Sequence, residues 1–480
     1  MNRKRNNHPL LEGLEITDFA AEGKALGRWN DQVVFVPMTV PGDVVDVQIR
    51  TRRSRYMEGY VVRYVKLSDL RCKPFCAHFG LCGGCKWQNI PYDMQLKIKA
   101  SQVEEQLRRI GHLELPEIRP ILGSEQTEFY RNKLEFTFTP RRWLTTEEVA
   151  SNRELDASPA LGFHIPGMFD KVLDIEKCWL QPEPSNSIRL ETKRFCIEHG
   201  YPFYNAREHT GFMRNMVIRT SSTGEVMVIL VFAEDDRSRI AALSDHLCEK
   251  FPEITSMIHM INTKCNDALG DLDAITYRGN GYIYETMEGL KFKIGPKSFY
   301  QTNSRQAYVL YKTARELADL HPDDTLYDLY TGTGTIANFC ASKCRKVVGI
   351  EYVPEAIEDA RHNSEINGIE NTVFYAGDMK RVLDDEFVAR NGRPDVVILD
   401  PPRAGVDAPV IDVLMKAAPK RIVYVSCNPA TQARDIAAMN RFYAVDAVQP
   451  VDMFPHTHHV ENVVRLIRRD KPLEQPAPKR

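Results

Sequence analysis

The sequence predicts a multidomain chain: a small N-terminal β-barrel, an α+β middle and a C-terminal doubly wound α/β domain. Three observations lead there. Short strand-like segments separated by turn residues fill the region up to Val65. Four cysteines crowd between Cys72 and Cys85. From Leu326 onward, apolar runs alternate with helical patterns, the rhythm of a sheet covered by helices on both faces. A chain of 480 residues exceeds what one hydrophobic core fills, and the expected parts are residues 1–68, 69–295 and 296–480.

A hydrophobic share of 43% with 27% charged residues excludes wholesale disorder. No apolar run approaches a membrane span, and the basic start Met1 to Arg5 lacks the apolar segment of a signal peptide. The expectation is a cytoplasmic monomer with no membrane partner. In that compartment cysteines seldom form disulfides, so clustered ones point to metal or catalysis. Scattered Cys196, Cys248 and Cys265 are assigned to packing. A net charge of −2 excludes indiscriminate nucleic-acid binding and leaves room for local basic patches.

In the first part, Gly13 to Phe19, Gln32 to Val36, Asp43 to Arg50 and Glu58 to Val65 read as strands, with turns at Gly23, Pro41-Gly42 and Gly59. Arg50, Arg52, Arg53 and Arg55 lie beside Tyr56 and Tyr60, joining guanidinium forks for phosphate to aromatic stacking surfaces. The order from Gly13 through Gly27 to Pro41-Gly42-Asp43 resembles a TRAM domain, which implies an OB-like barrel that binds RNA.

In the second part, Cys72, Cys76, Cys82 and Cys85 with interleaved glycines let several sulfurs converge on one centre. Zinc is the first candidate, but a zinc ribbon uses two Cys-x-x-Cys knuckles and only Cys82 and Cys85 have that spacing. Tyr92, Leu96, Val103, Leu107 and Ile110 predict a helix from Pro91 to Gly111. Lys97, Lys99, Arg108 and Arg109 lie mostly off that stripe, on a solvated face or against RNA phosphates. Phe129 to Phe136, Gly162 to His164 and Met213 to Arg219 are strand-like, and Tyr130, Arg131, Lys133 and Arg214 are candidates to face RNA.

In the third part, strands are expected at Leu326 to Leu329, Val347 to Ile350, Val373 to Tyr375, Val396 to Leu399 and Ile422 to Val425, with helices such as Pro354 to Asn367 and Ala408 to Ala418. The loop Asp328 to Thr335 carries Gly332 and Gly334, so a ligand can approach backbone N–H groups. Glu351 ends the second strand, where a carboxylate accepts hydrogen bonds from ribose hydroxyls. NAD and S-adenosylmethionine both suit a loop and an acid so placed. Asp400-Pro401-Pro402 makes a rigid loop at the end of the fourth strand. Cys427 follows the apolar run Ile422 to Val425, at the carboxyl edge where open sheets bind ligands.

Ser298 to Asn303, Asp328 to Gly334, Glu351, Leu399 to Gly405, Ser426 to Pro429 and Asp452 to Glu461 are similar, motif for motif and in order, to the RNA uracil-5-methyltransferase family. The resemblance implies a Rossmann-like class I methyltransferase domain that uses S-adenosylmethionine. Gln301, Tyr330, Glu351 and Asp400 become its contacts, with Asp378 a further candidate near the adenine. Thr335 stands where several members carry Asn. Cys427 becomes the nucleophile and Glu461 the base. Cys76-x5-Cys82-x2-Cys85 with a distant Cys178 resembles the family's iron–sulfur motif, which implies a [4Fe-4S] cluster on Cys76, Cys82, Cys85 and Cys178 and leaves Cys72 spare. It also implies 23S ribosomal RNA as the target, in preference to transfer RNA, whose modifying members typically lack the cluster and the barrel.

The implied chemistry accounts for the two residue types. Uracil carbon 5 is a weak nucleophile until a thiolate adds at carbon 6 and leaves an enolate. A thiol, with its free pKa of ~8.5, ionises readily beside a helix N-terminus or a cation. The proton on carbon 5 must then pass to a base, for which Glu461 is preferred to His456, His458 and His459. An RNA cytosine-5-methyltransferase shares the thiol, but Arg403 stands where such enzymes usually place a second cysteine. A ribosome-assembly factor with a degenerate catalytic domain is the non-enzymatic alternative.

Overall fold

The computed structural model describes residues 8–151 and 156–473, so the basic start Met1 to Arg5 lies outside the described residues. Strands Leu10–Phe19, Lys24–Trp29, Gln32–Pro37, Val44–Arg52 and Tyr56–Lys66 close into a barrel. Its core is Leu14, Ile16, Val34, Val36, Val45, Val47 and Met57, the inward residues of alternating strands. The strand Lys24–Trp29 is not among the expected segments. Its inward positions are only Ala25 and Gly27, too small to mark an apolar alternation. Buried Asp43 fixes the Pro41-Gly42 turn, accepting from Val40 N at 2.7 Å and Ser68 N at 2.9 Å and pairing with Arg71 at 2.6 Å.

Residues between Lys66 and Tyr92 carry the cysteines and form neither helix nor strand. The helix Tyr92–Arg109 then packs on the C-terminal domain, with Val103 and Leu107 in one cluster with Ile436, Met439 and Tyr443. The middle domain is a seven-stranded sheet in the spatial order Ile275–Gly279, Ile254–Ile261, Val226–Phe232, Met213–Thr220, Lys133–Thr139, Ala160–His164, Val172–Asp174. Its helices Ser185–Glu198 and Arg237–Lys250 cover one face.

The C-terminal sheet runs Thr372–Ala376, Lys346–Glu351, Thr325–Leu329, Val396–Leu399, Arg421–Ser426, Glu461–Arg468, Tyr443–Val451. The five expected strands lie within its first five, which are parallel and in register: Leu329 pairs with Ile350 and Leu399, and Leu399 with Tyr424. Their carboxyl ends therefore share one edge, and the order reverses between Thr325–Leu329 and Val396–Leu399, where such sheets open a crevice. Among the described residues no helix is long and apolar enough to cross a membrane.

Candidate active site

One cavity of about 2130 Å³ lies against that edge, and it is lined by Cys427, Glu461, Gln301, Tyr330, Glu351, Asp400, Cys76, Cys82, Cys85 and Cys178. Residues from the second and third parts of the chain thus meet in one space.

Cys427 sits between the strand Arg421–Ser426 and the helix Pro429–Met439. Pro429 is the first helical residue, a position that needs no N–H, and the Asn428 side chain caps the helix by accepting from Ala430 N at 3.2 Å. Asn428 Nδ2 and Thr431 Oγ1 each donate to the Arg403 carbonyl at 3.1 Å, tying the Pro401-Pro402-Arg403 loop to the cysteine's turn. Glu461 opens the antiparallel strand beside Cys427: Ser426 pairs with Asn462, and Glu461 is the next residue out.

Burial, with the charges of Glu461 and Asp400, pushes the Cys427 thiol up to about 11, although Arg403 draws it down by charge and by a hydrogen bond. The expected activation by a nearby cation is therefore present but outweighed in the free protein. Burial and the charge of Asp400 also push the fully buried Glu461 well above the carboxylate range, with Arg403 in opposition. Burial and Asp328 raise Asp400 to about 7, and burial raises Asp328 itself to about 7. Buried Tyr311, on the helix Ser304–Ala318, feels Asp400, Glu461 and Asp328 together. Three carboxyls, Glu461, Asp400 and Asp328, and one guanidinium, Arg403, gather at this end of the site, and a cation placed there would draw the raised carboxyls back toward their ionised form.

On the neighbouring strand end, Tyr330 takes the left-handed conformation at φ 67°. Tyr330 N and Thr331 N donate to the Ile350 carbonyl at 3.0 and 3.1 Å, which holds the glycine loop over the second strand. The Glu351 carboxylate accepts from Gly332 N at 3.1 Å, Tyr352 N at 2.8 Å and Val353 N at 3.1 Å. A Cβ on Gly332, at φ +55°, would meet nothing within 4 Å, whereas one on Gly334 would come 2.8 Å from Ala360 Cβ. The first glycine opens space to the cavity and the second lets helix approach strand. Asp328 Oδ1 is buried without a partner under this loop. Asp378 caps the helix Met379–Val382, accepting from Lys380 N at 3.1 Å, and Thr335 lines the cavity, unlike Asp378.

Of the five cysteines in the second motif, Cys72 is exposed and its Sγ donates to the Gln88 carbonyl at 3.3 Å. The other four influence one another: burial pushes Cys85 up to about 12 and Cys178 up to about 11, each raised further by neighbouring thiols. Asn186 brackets Cys178, accepting from its N–H at 2.8 Å and donating to its carbonyl at 3.1 Å. Gly83, at φ +71°, has no room for a Cβ beside Pro166. Among the described residues, no three His, Cys, Asp or Glu side chains are grouped as a single metal ion requires.

Several surface expectations are corrected. Lys99 is fully buried, paired with Asp452 at 2.6 Å and donating to the Phe454 carbonyl at 3.1 Å. Tyr92 OH donates to Asp452 at 2.7 Å, and Gln95 meets His456 through Nε2 at 3.1 Å and through its Oε1, which accepts from His456 N at 2.9 Å. The His456 carbonyl in turn accepts from Lys86 N and Trp87 N at 2.9 and 3.0 Å. The segment Asp452 to Glu461 is thus gripped by the helix on one side and the cysteine loop on the other. Arg214 is buried too, donating to the Asn262 carbonyl at 2.8 Å and pairing with Asp267 at 2.8 Å. Cys196 and Cys248 are buried as assigned, while Cys265 is exposed. Of the residues that form the site, Tyr311 carries no sequence signal, and Arg403 and Lys99 stand out in the sequence only in other roles. Arg403 directly after the Pro-Pro loop was the signal at hand.

Comparison with known proteins places the chain in context. Residues 282–469 match the model described as tRNA (Uracil-5-)-methyltransferase, and residues 14–62 match that of the TRAM domain. The chain is similar to RNA methyltransferases of Bacteroides thetaiotaomicron, 59% identical over 93% of this chain and 99% of the relative, and of Porphyromonas gingivalis, 58% identical over 95% and 99%. Among solved structures it resembles the Pyrococcus abyssi tRNA (uracil-54, C5)-methyltransferase in complex with S-adenosyl-L-homocysteine, with a TM-score of 0.74 and 29% identity over 95% of this chain and 100% of that one.

Proposed function

We propose, for a chain that belongs to the RNA uracil-5-methyltransferase family, that it methylates carbon 5 of a uridine in RNA, using S-adenosylmethionine. The observation that carries this reading is the placing of Cys427 and Glu461, each one residue beyond the pair Ser426–Asn462, at the edge that also bears Tyr330, Glu351 and Asp400. The donor fits the residues present: the open space at Gly332, the Glu351 carboxylate for ribose hydroxyls, and buried acids for a cation. When bound, it supplies an electrophilic methyl group on a sulfonium.

Cys427 adds as thiolate to carbon 6, and the enolate so formed takes the methyl at carbon 5. The charge of Arg403 beside the sulfur favours the ionised form. Glu461 then accepts the proton from carbon 5, the carbon–sulfur bond breaks, and the thiolate is restored. A carboxylate whose proton affinity is raised by burial is a stronger base than one in water. Bases inside a duplex are unreachable, so the uridine enters from a loop or by flipping.

Cys76, Cys82, Cys85 and Cys178 are the proposed ligands of a [4Fe-4S] cluster. All four line the same cavity, and as thiolates they would hold the cluster there. A cluster held by four thiolates would have no open iron, so its part there would be to shape the RNA surface rather than to carry electrons.

The cysteine motif favours 23S ribosomal RNA as substrate. Transfer RNA is the second reading, favoured by the whole-chain likeness to the Pyrococcus enzyme. Incubation of the purified protein with each RNA and labelled donor, followed by nucleoside analysis, decides between them. Label in 5-methylcytidine, or none in either RNA, would reject the proposal.

A further inference from the structure

Arg219 is 5% exposed and lies on the strand Met213–Thr220, paired in register with Lys133 of the next antiparallel strand. Arg131 sits two residues before Lys133, its guanidinium 5.9 Å from the ring of Phe454, and all three cations line the cavity. The Nη2 of Arg219 donates to the Pro296 carbonyl at 3.3 Å and the Ser298 carbonyl at 2.8 Å, while its buried Nε has no acceptor. Burial draws Arg219 down to about 10, and no carboxylate among the described residues acts on it. Lys133 is lowered by burial and by the charges of Arg219 and Arg131, against Glu135 on its own strand. A buried guanidinium without a counter-ion is unfavourable, and three cations on one wall repel each other. An anion seated among them relieves both.

We propose that Arg219, with Lys133 and Arg131 beside it, forms a subsite for one backbone phosphate of the RNA near the target nucleotide. The proposal rests on the RNA-methyltransferase reading above. Phosphate is favoured over the donor's own carboxylate by the division of the cavity: these cations stand on the middle sheet, whereas Glu351, Glu355, Glu358 and Asp359 crowd the wall where the donor's residues lie. Guanidinium forks also match phosphate oxygens in geometry.

The test is filter binding of transcribed 23S ribosomal RNA and of transfer RNA to the full chain over a salt series, together with calorimetry of donor binding. Arg219→Gln and Lys133→Gln should each weaken binding to the RNA that the wild type methylates by about tenfold. Each should also lower the slope of log affinity against log salt by about one, with donor affinity within about twofold of wild type. Arg219→Lys, which keeps the charge but loses the carbonyl contacts, should retain the slope. Unchanged RNA affinity and slope in both glutamine variants would overturn the subsite alone. Lost donor affinity with an unchanged slope would mean that Arg219 merely supports the segment Pro296 to Ser298 or binds the donor. A wild type that neither binds nor methylates either RNA would overturn the underlying reading as well.

Discussion

Cys427 and Glu461 stand side by side, one residue beyond the last paired positions of two antiparallel strands, Ser426 and Asn462. A parallel neighbour at that place would have started at the opposite edge of the sheet. The turn of chain through Asp452 to Val460 is what brings the carboxylate to the sulfur.

Removing that carboxylate should stop the reaction after methyl transfer. With Glu461→Gln, a covalent protein–RNA adduct is expected to accumulate as a denaturation-resistant band. Cys427→Ala should give neither band nor product. No band with Glu461→Gln, alongside normal turnover, would remove Glu461 as the base.

The thiol of Cys427, pushed up to about 11, is protonated at neutral pH in the free protein. Its ionised fraction then rises about tenfold per pH unit until that value is approached. Alkylation of Cys427 by iodoacetamide, followed by mass spectrometry, should show that rise between about pH 7 and 10. Arg403→Met should slow alkylation by about tenfold at fixed pH, with Arg403→Lys recovering part of it. A pH-independent rate would contradict the assignment.

Lys99→Met should leave Asp452 buried without its cation, a change that costs about 3–5 kcal/mol. A urea midpoint within error of wild type would show that the pair is not what holds the Asp452 to Glu461 segment.

For the cysteine loop, Cys76→Ser and Cys85→Ser are expected to lower bound iron per chain, and Cys72→Ser to leave it unchanged, since the Cys72 sulfur is turned to the Gln88 carbonyl. Iron analysis of anaerobically purified protein reads this directly. Equal iron in all three variants would take Cys76 and Cys85 off the ligand set.

Burial draws His456 down to about 4. Since the unfolded chain takes the proton near pH 6.5, the histidine favours the native state above that pH. Stability is lost as pH falls toward 4, by about 3 kcal/mol for this group. Burial also lowers His458 to about 3 and His459 to about 4, so both steepen the loss. Denaturation midpoints across this range should fall, and fall less in His456→Gln.

What was legible in the sequence follows from how local its cause is. Parallel strands buried on both faces must be continuous apolar runs, so the four inner parallel strands of the C-terminal half could be read directly, while Lys24–Trp29, with only Ala25 and Gly27 inward, could not. Glu461 is preferred to the histidines at positions 456, 458 and 459 as the base, and the burial of His456 between helix and cysteine loop gives that histidine a structural place. Lys99 looked like a surface residue because its partner lies 353 positions away.

The sequence by itself determined the strand ends and the residue types standing at them, because periodicity and turn chemistry act over a few residues. Only the tertiary structure decided that the charge of Arg403 acts on Cys427, that Lys99 anchors the segment bearing Glu461, and that Arg219 is buried without a carboxylate partner among the described residues. Charge pairing and burial depend on neighbours brought together from distant positions, and no local pattern records them.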